Sequence, residues 1–203
     1  MDAVNDRPAR AAELEEVGVV RLLSPEQLER KIAAVFGKPW GRLNDSLAIL
    51  YGGIDSLAVT ERNTDPSGAM GAVQRMMAND IACEHVAADF RLDAAQRKLF
   101  PMIEPDIVPG TQAGEQAIRS AIVYLHERLL GHEDAADSPR VDQTFRLFDG
   151  IIQEARQTQG LEKRESYYCG GRDEFRSEDP HFTLRTWRAV ITYLLRQQAF
   201  LYE

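Results

Sequence analysis

The chain has 203 residues, of which 44% are hydrophobic and 28% are charged. This balance excludes an intrinsically disordered segment, and because no apolar run reaches the length of a membrane span, no membrane insertion is expected. The formal net charge of -8 repels phosphate backbones, so we do not expect nucleic acid as a partner.

Helix-start signals mark the first half of the chain. The sequence SPEQ at residues 24–27 combines an N-cap hydroxyl, a proline that fits the first helical position and a glutamine that completes a capping box. It predicts a helix over 25–36. Similar signals and helical spacing of apolar side chains predict two further helices, at roughly 67–90 and 93–100.

In the second half, prolines interrupt the helical pattern over residues 101–110. We interpret this segment as a candidate joint between two subdomains. Beyond it, apolar side chains at helical spacing predict helices over 118–129, 138–152 and 180–195. The stretch 157–179 shows no regular pattern and is expected to be irregular, and either functional or mobile.

These patterns together predict an all-α fold, an irregular bundle of about six or seven helices in which antiparallel neighbours share one core. Residues 24–203 would form a single helical domain, and residues 1–23 an N-terminal extension. That extension lacks the apolar segment of a secretory signal, so a cytoplasmic location is the default expectation. A periplasmic or exported location is the alternative, if the chain belongs to a larger secreted assembly.

The sequence LAILYGGIDSLAV at residues 47–59 is the strongest candidate for a chemical motif. It resembles the phosphate loop of the ATP pyrophosphatase family, in which a buried strand runs into Ser-Gly-Gly-x-Asp-Ser and a helix follows. The resemblance implies nucleotide binding by Gly52, Gly53, Asp55 and Ser56. However, Tyr51 replaces the first serine, and the helical patterns after residue 60 leave no place for that family's parallel sheet. We favour a structural glycine turn, with a helix ending near Tyr51 and with Asp55 or Ser56 capping the next helix.

Carboxylates lie beside histidines at residues 84–85, 126–127 and 132–134. A di-metal site in a helix bundle needs a histidine three residues after the glutamate, and neither Glu84 nor Glu127 has one. We therefore predict no metal site and no cofactor. No catalytic residue is predicted either.

Cys83 and Cys169 are the only cysteines in the chain. Free structural thiols are the favoured interpretation. In an oxidising compartment, a disulfide between the two would fasten the irregular stretch 157–179 to the core.

Large apolar side chains are concentrated near the end of the chain, where polar residues are more usual. We expect this region to dock into the protein or into a partner. The candidate interaction surface consists of Trp187, Phe200, Leu201 and Tyr202.

A broader resemblance covers most of the chain from Leu43 to Glu203. The segments LYGGIDS, VTER, MANDIAC, ADF, YLHERLLG and LRTWRAVITYLLRQQAFLYE, together with the pattern LFP-x-IEP, are its markers. They resemble the C-terminal helical region of large uncharacterised proteins of the planctomycete type, which often carry cytochrome c-like segments. The resemblance implies an accessory helical module from an exported lineage, in which GGIDS is a structural turn. Haem-binding segments are missing from this chain, so an electron-transfer role is not expected.

The sequence therefore predicts a non-enzymatic helical interaction or assembly module. Its partner would be another protein or a second copy of the chain. The alternative is a nucleotide-binding enzyme of the ATP pyrophosphatase type that uses the loop at 52–56.

Overall fold

A computed structural model describes residues 21–55, 57–63, 65–158, 166–169 and 172–203. Within these residues the fold is mostly α-helical, which confirms the predicted class, and none of its helices is long and apolar enough to cross a membrane. The seven α-helices are α1 (Pro25–Phe36), α2 (Arg42–Asp45), α3 (Gly68–Phe90), α4 (Gln112–Leu125), α5 (Pro139–Gln157), α6 (Thr183–Leu194) and α7 (Gln198–Leu201). The two strands are β1 (Ser166–Cys169) and β2 (Arg172–Glu178).

Side-chain caps begin the helices where the sequence predicts them. At α1, the Ser24 hydroxyl accepts a hydrogen bond from the Gln27 backbone N–H at 3.1 Å, and the Gln27 side chain accepts one from the Ser24 N–H at 2.8 Å. The hydroxyls of Ser67 and Ser138 cap α3 and α5 in the same manner. Each cap satisfies a backbone N–H that a helix start leaves without a partner.

The helix predicted at 93–100 is reduced to a 3-10 turn at Ala94–Gln96, which corrects the sequence interpretation. The reason is the carboxylate of Asp89, which is 7% exposed and lies near the end of α3. It accepts hydrogen bonds from the backbone N–H groups of three successive residues, at 2.8 to 3.0 Å. These donors, on Lys98, Leu99 and Phe100, are then not available to a helix.

A buried aspartate also sets the start of α6, which begins three residues later than predicted. The carboxylate of Asp179 accepts hydrogen bonds from the N–H groups of Leu184 and Arg185, at 3.0 and 3.2 Å. Phe182, just before the helix, has φ of 60°, a left-handed conformation that is uncommon outside glycine. The chain therefore turns once more after Pro180 before the helix can begin.

The stretch 157–179 contains a β-hairpin, so the expectation that it is irregular was wrong for its second half. Strands β1 and β2 pair antiparallel, with Ser166 opposite Glu178 and Tyr167 opposite Ser177. The hairpin packs against α3. Two glycines stand between the strands in the sequence, which is a recognised hairpin signal that the helical pattern on either side obscured.

One continuous hydrophobic core is formed mainly where α6 packs against α3 and α5. At its centre the ring of Trp187 lies 5.1 Å from the ring of Phe100 and 4.6 Å from that of Phe148, measured between centroids. The proline segment 101–110, predicted as a candidate joint, contributes Ile103 to this same core. It is also held by a hydrogen bond from the hydroxyl of Thr183 to the carbonyl of Pro105.

The two ends of the described chain pair with each other. Backbone hydrogen bonds run from the Arg21 N–H to the Glu203 carbonyl at 2.8 Å and from the Glu203 N–H to the Arg21 carbonyl at 2.9 Å. Leu22 and Leu23 are buried, so the domain begins earlier than the predicted boundary at residue 24. The remainder of the predicted extension, residues 1–20, lies outside the described residues.

Replacing Phe200 by alanine should destabilise the fold by about 3 to 5 kcal/mol, the range typical of a fully buried aromatic side chain. Phe200 is 0% exposed, and the Lys31 ammonium lies 4.7 Å from its ring centroid. Urea unfolding followed by circular dichroism measures the change. Gln198→Ala, at an exposed position of the same short helix, is the control and should change stability by less than about 0.5 kcal/mol. Equal stability of the two variants would contradict the burial of this helix.

Candidate functional site

The glycine motif forms a tight turn, as we favoured from the sequence. Gly52 has φ of +93°, and a Cβ atom at this position would lie 2.1 Å from the carbonyl oxygen of Asn63. Only glycine fits such a backbone contact. Residues 47–52 are in turns, so neither the strand required by a phosphate loop nor a helix ending near Tyr51 is present.

Asp55 closes the loop that follows. Its Oδ1 accepts hydrogen bonds from the backbone N–H groups of Leu57, Ala58 and Val59, at 2.8 to 2.9 Å. The hydrogen bonds from Val59, Leu57 and Ala58 lower the pKa of the Asp55 carboxyl. The carboxylate thus caps a turn, and the helix expected directly after it is absent, because α3 begins only at Gly68.

This arrangement does not favour the nucleotide-binding alternative. A phosphate loop presents free backbone N–H groups to its ligand, but three of the N–H groups after Gly53 are already bonded to the Asp55 carboxylate. Of the four residues that the resemblance implied, Gly52, Gly53 and Asp55 serve the turn itself. Ser56 lies outside the described residues.

The same segment exposes an unusual amount of apolar surface. Seven large apolar side chains are exposed in the part of the chain that the structure describes, and four of them lie within residues 49–57. We call this segment the apolar loop. Its exposed side chains are Ile49, Leu50, Ile54 and Leu57, with exposed fractions of 46%, 49%, 48% and 91%. Sequence reasoning missed this feature, because their spacing follows no helical or strand period.

The apolar loop is held in shape by its own backbone. Gly53 donates to the carbonyl of Ala48 at 2.7 Å, and Asp55 donates to the carbonyl of Val59 at 3.0 Å. Tyr51 lies within the first of these two turns, and its side chain, which is 1% exposed, anchors the turn in the core. The four apolar side chains are therefore exposed on a turn whose backbone is fixed by hydrogen bonds.

The candidate interaction surface at the C-terminal end requires a correction. Trp187 and Phe200 are 0% exposed and Leu201 is 4% exposed, so these side chains belong to the core. Tyr202 is half-buried and pairs with Leu22 in an isolated β-bridge. The apolar end of the chain docks into the protein itself, and residues 201–203 are hydrogen-bonded to residues 21–23.

Cys83 of α3 and Cys169 of β1 form a disulfide bond, with 5.5 Å between their Cα atoms, so the favoured interpretation of free thiols was wrong. Beside it, the hydroxyl of Tyr167 donates a hydrogen bond to the carbonyl of Cys83 at 2.7 Å. Burial raises the pKa of this tyrosine to about 12, so it keeps its proton. The disulfide and the hydroxyl together fasten the hairpin to α3.

A second polar cluster surrounds His126, whose ring is 2% exposed. Its Nδ1 lies 2.8 Å from Oδ2 of Asp134, and its Nε2 lies 3.0 Å from Oγ1 of Thr144. Thr144 also donates its hydroxyl proton to the carbonyl of Arg140, at 3.1 Å. The cluster borders a cavity of about 510 Å³.

Threonine, histidine and aspartate in a row are typical of nucleophilic catalysis, but the surroundings of this cluster favour a structural role. Thr144 is 1% exposed and His126 is 2% exposed, so little of the hydroxyl is open to a substrate. The carbonyl of Arg140 also lies within hydrogen-bond distance of the hydroxyl, and it competes with His126 for the single hydroxyl proton.

The histidine and carboxylate pairs do not assemble into a metal centre within the described ranges, where no group of three or more His, Cys, Asp or Glu side chains could hold a metal ion. Glu84 is bound to Lys38, with 3.1 Å between Oε2 and Nζ. His85 packs against Phe36, with 4.9 Å between ring centroids. Burial, with the positive charge of Lys38, lowers the pKa of His85 to about 4, so its ring is neutral at pH 7.

Comparison with protein-family models, with curated proteins and with solved structures finds no match for this chain. The resemblance to helical regions of planctomycete-type proteins therefore stays an expectation from the sequence.

Replacing Cys83 and Cys169 together by alanine should destabilise the fold by about 4 kcal/mol. The bond closes a loop with a sequence separation of 86, and opening it increases the entropy of the unfolded chain. Thermal unfolding of the wild type and of this double variant, each with and without dithiothreitol, measures the effect. Reductant should lower the melting temperature of the wild type only. A wild type that melts identically with and without reductant, although its thiols are shown to be free, would contradict a stabilising bond.

Replacing Asp134 by asparagine should destabilise the fold by about 2 kcal/mol at pH 6. Burial alone would raise the pKa of Asp134, but the hydrogen bond from His126 and the charges of His126, Arg140 and His132 outweigh it, and the pKa is lowered. A lowered pKa stabilises the fold above the ordinary value of 3.8, and this stabilisation is lost as the pH falls through the pKa of the folded state. Urea unfolding at pH 6 and near pH 2.5 should show the difference from the wild type shrinking. The exposed Asp137→Asn is the control, and a difference that is equally large at both pH values would exclude the ion pair as its source.

Proposed function

We propose that the chain is a non-enzymatic helical interaction or assembly module that binds a protein partner through the apolar loop of residues 49–57. The observation that carries the proposal is the clustering of exposed apolar side chains on one internally bonded turn. Single apolar residues scattered over a protein surface are normal, but four exposed within nine residues of the chain suggest an interface. Leu57, at 91% exposure, would contribute most when covered.

The internal bonds of the loop support this role energetically. Burial of a leucine or isoleucine side chain stabilises a complex by about 1.5 to 3 kcal/mol before other costs are subtracted. A turn already fixed by Asp55 and Gly52 loses little conformational entropy on binding, so more of this gain is retained. The partner surface that binds the loop has an apolar depression, and it belongs either to another protein or to a second copy of the chain.

The disulfide supports a proposal about the compartment. Stable disulfides form in oxidising environments and are rare in the cytosol. We propose that the chain folds in an exported or periplasmic setting, in place of the cytoplasmic default. Free thiols at Cys83 and Cys169 in protein isolated from its own cells, with alkylation before lysis, would contradict this assignment.

The double substitution Ile54→Asp and Leu57→Asp should abolish assembly and leave the fold intact, because both side chains are exposed and each charge would have to be desolvated in an interface. The measurement is the mass in solution by light scattering, together with photo-crosslinking from a probe amino acid at position 57. Met102→Asp is the matched control, since Met102 is 57% exposed in another part of the chain.

Two outcomes support the proposal. Either the wild type is an oligomer that the double variant loses, or it is a monomer that forms one defined crosslinked complex from position 57 and none from position 102. A wild type that stays monomeric and gives the same crosslinks from both positions would overturn it.

A further inference from the structure

A groove of about 530 Å³ lies between α6 and the hairpin, away from every residue used so far for binding. The polar side chains that line it are mainly arginines and tyrosines. Leu147 and Ala189 add apolar contacts to it. The residues that matter for the argument are Arg185, Arg188, Arg196, Thr192, Tyr167 and Tyr168.

The charge of this groove is opposite to that of the chain as a whole. The formal net charge is -8, yet three arginines and no carboxylate line the groove among the described residues. Arg185 is ion-paired, with 2.8 Å between its Nη1 and Oδ2 of the fully buried Asp179, and Arg188 is hydrogen-bonded to Tyr167. A concave surface with one sign of charge concentrates ligands of the other sign.

The arginines are arranged in a row. Arg185, Arg188 and Arg196 are separated by three and eight positions, with Thr192 midway between the last two, which places all four on one side of α6 and the turn that follows it. At the rise of an α-helix, the row from Arg185 to Arg196 is about 16 Å long. This length matches about five residues of an extended peptide and exceeds the size of a single phosphate or carboxylate group.

The opposite wall is preorganised by the disulfide. Tyr167 is 1% exposed, its hydroxyl is hydrogen-bonded to Cys83, and the side chain of Arg188 lies against it. The neighbouring Tyr168 is 52% exposed and stands at the groove with its ring accessible. Arginine side chains with fixed neighbours lose little entropy when they form bidentate bonds with carboxylates.

We propose that this groove binds an extended acidic segment of a partner protein. The carboxylate side chains of the segment pair with Arg188 and Arg196, and the backbone of the segment lies beside Tyr168. The proposal is independent of the apolar loop and holds whether or not that loop is an interface. A peptide is favoured over a nucleic acid because the surrounding charge of -8 repels a dense phosphate backbone, whereas a short acidic segment carries fewer charges along the same length.

The test is fluorescence anisotropy with the intact, disulfide-bonded chain and a labelled eight-residue peptide of alternating glutamate and glycine. The same peptide with glutamine in place of glutamate is the ligand control. We expect saturable binding of the glutamate peptide that weakens at least tenfold between 20 and 200 mM salt, on the order set by screening. The glutamine peptide should not bind.

Arg188→Gln together with Arg196→Gln should weaken binding of the glutamate peptide at least tenfold, about the loss of two charge-assisted contacts. Arg185 is left in place, because it pairs with buried Asp179 and its loss would disturb the start of α6. The matched control is Arg30→Gln with Arg156→Gln, two exposed arginines on α1 and α5 that do not line the groove. Circular dichroism and the melting temperature verify that both double variants are folded.

The proposal is overturned if the glutamate peptide does not bind saturably, or if both double variants bind it equally well. It is also overturned if a labelled single-stranded oligonucleotide or inorganic phosphate competes at a lower concentration than the unlabelled glutamate peptide, since the groove would then be selective for phosphate. The Ile54→Asp and Leu57→Asp variant should bind the glutamate peptide as tightly as the wild type does, because the groove is a separate site from the apolar loop.

Discussion

The packing of Trp187 between the rings of Phe100 and Phe148 is the contact on which the other features depend. It joins α6 to α5 and to the segment that follows α3, so three separate parts of the chain share one buried side chain. Burial of this face fixes the rotation of α6 about its axis. The opposite face carries Arg188 and is continued by Arg196 in the turn after the helix, so both arginines line the groove beside the hairpin.

Buried or locally bonded carboxylates organise the irregular parts of this acidic chain. Asp89 fixes the turn after α3, Asp179 fixes the start of α6, and Asp55 fixes the apolar loop. Each accepts backbone N–H groups that no helix or strand would otherwise satisfy. These carboxylates are used inside the fold, where they bind backbone donors, and only Asp179 among the three also pairs with an arginine of the groove, Arg185.

The sequence predicts those features that depend on near neighbours. Ser24 and Gln27 begin α1 as a capping box because both partners lie within one turn, and the glycine turn at 52–53 follows from a local backbone requirement. The class of fold follows in the same way from helical spacing. The hairpin was not predicted, since its signal of two glycines is short and helical patterns stand on both sides of it.

Features that depend on distant parts of the chain could not be predicted in this way. The apolar side chains of Phe200 and Leu201 would suit an interface as well as a core. The folded chain buries both of them, in a segment whose backbone pairs with residues 21–23. The groove likewise needs α6 and β1 to meet, and nothing in the spacing of Arg185, Arg188 and Arg196 indicates what faces them. The apolar loop escaped notice because exposure is a property of the folded surface.

The antiparallel pairing of Arg21 with Glu203 also determines how the domain would respond to a pulling force. Tension applied at these two residues acts across the strand pair, so the hydrogen bonds at Arg21, Leu23 and Leu201 would open one after another, as in a zipper. A shear geometry would load them all at once and resist more strongly. The domain should therefore open at low force from its paired ends, while the disulfide between Cys83 and Cys169 limits how far the chain can extend after that.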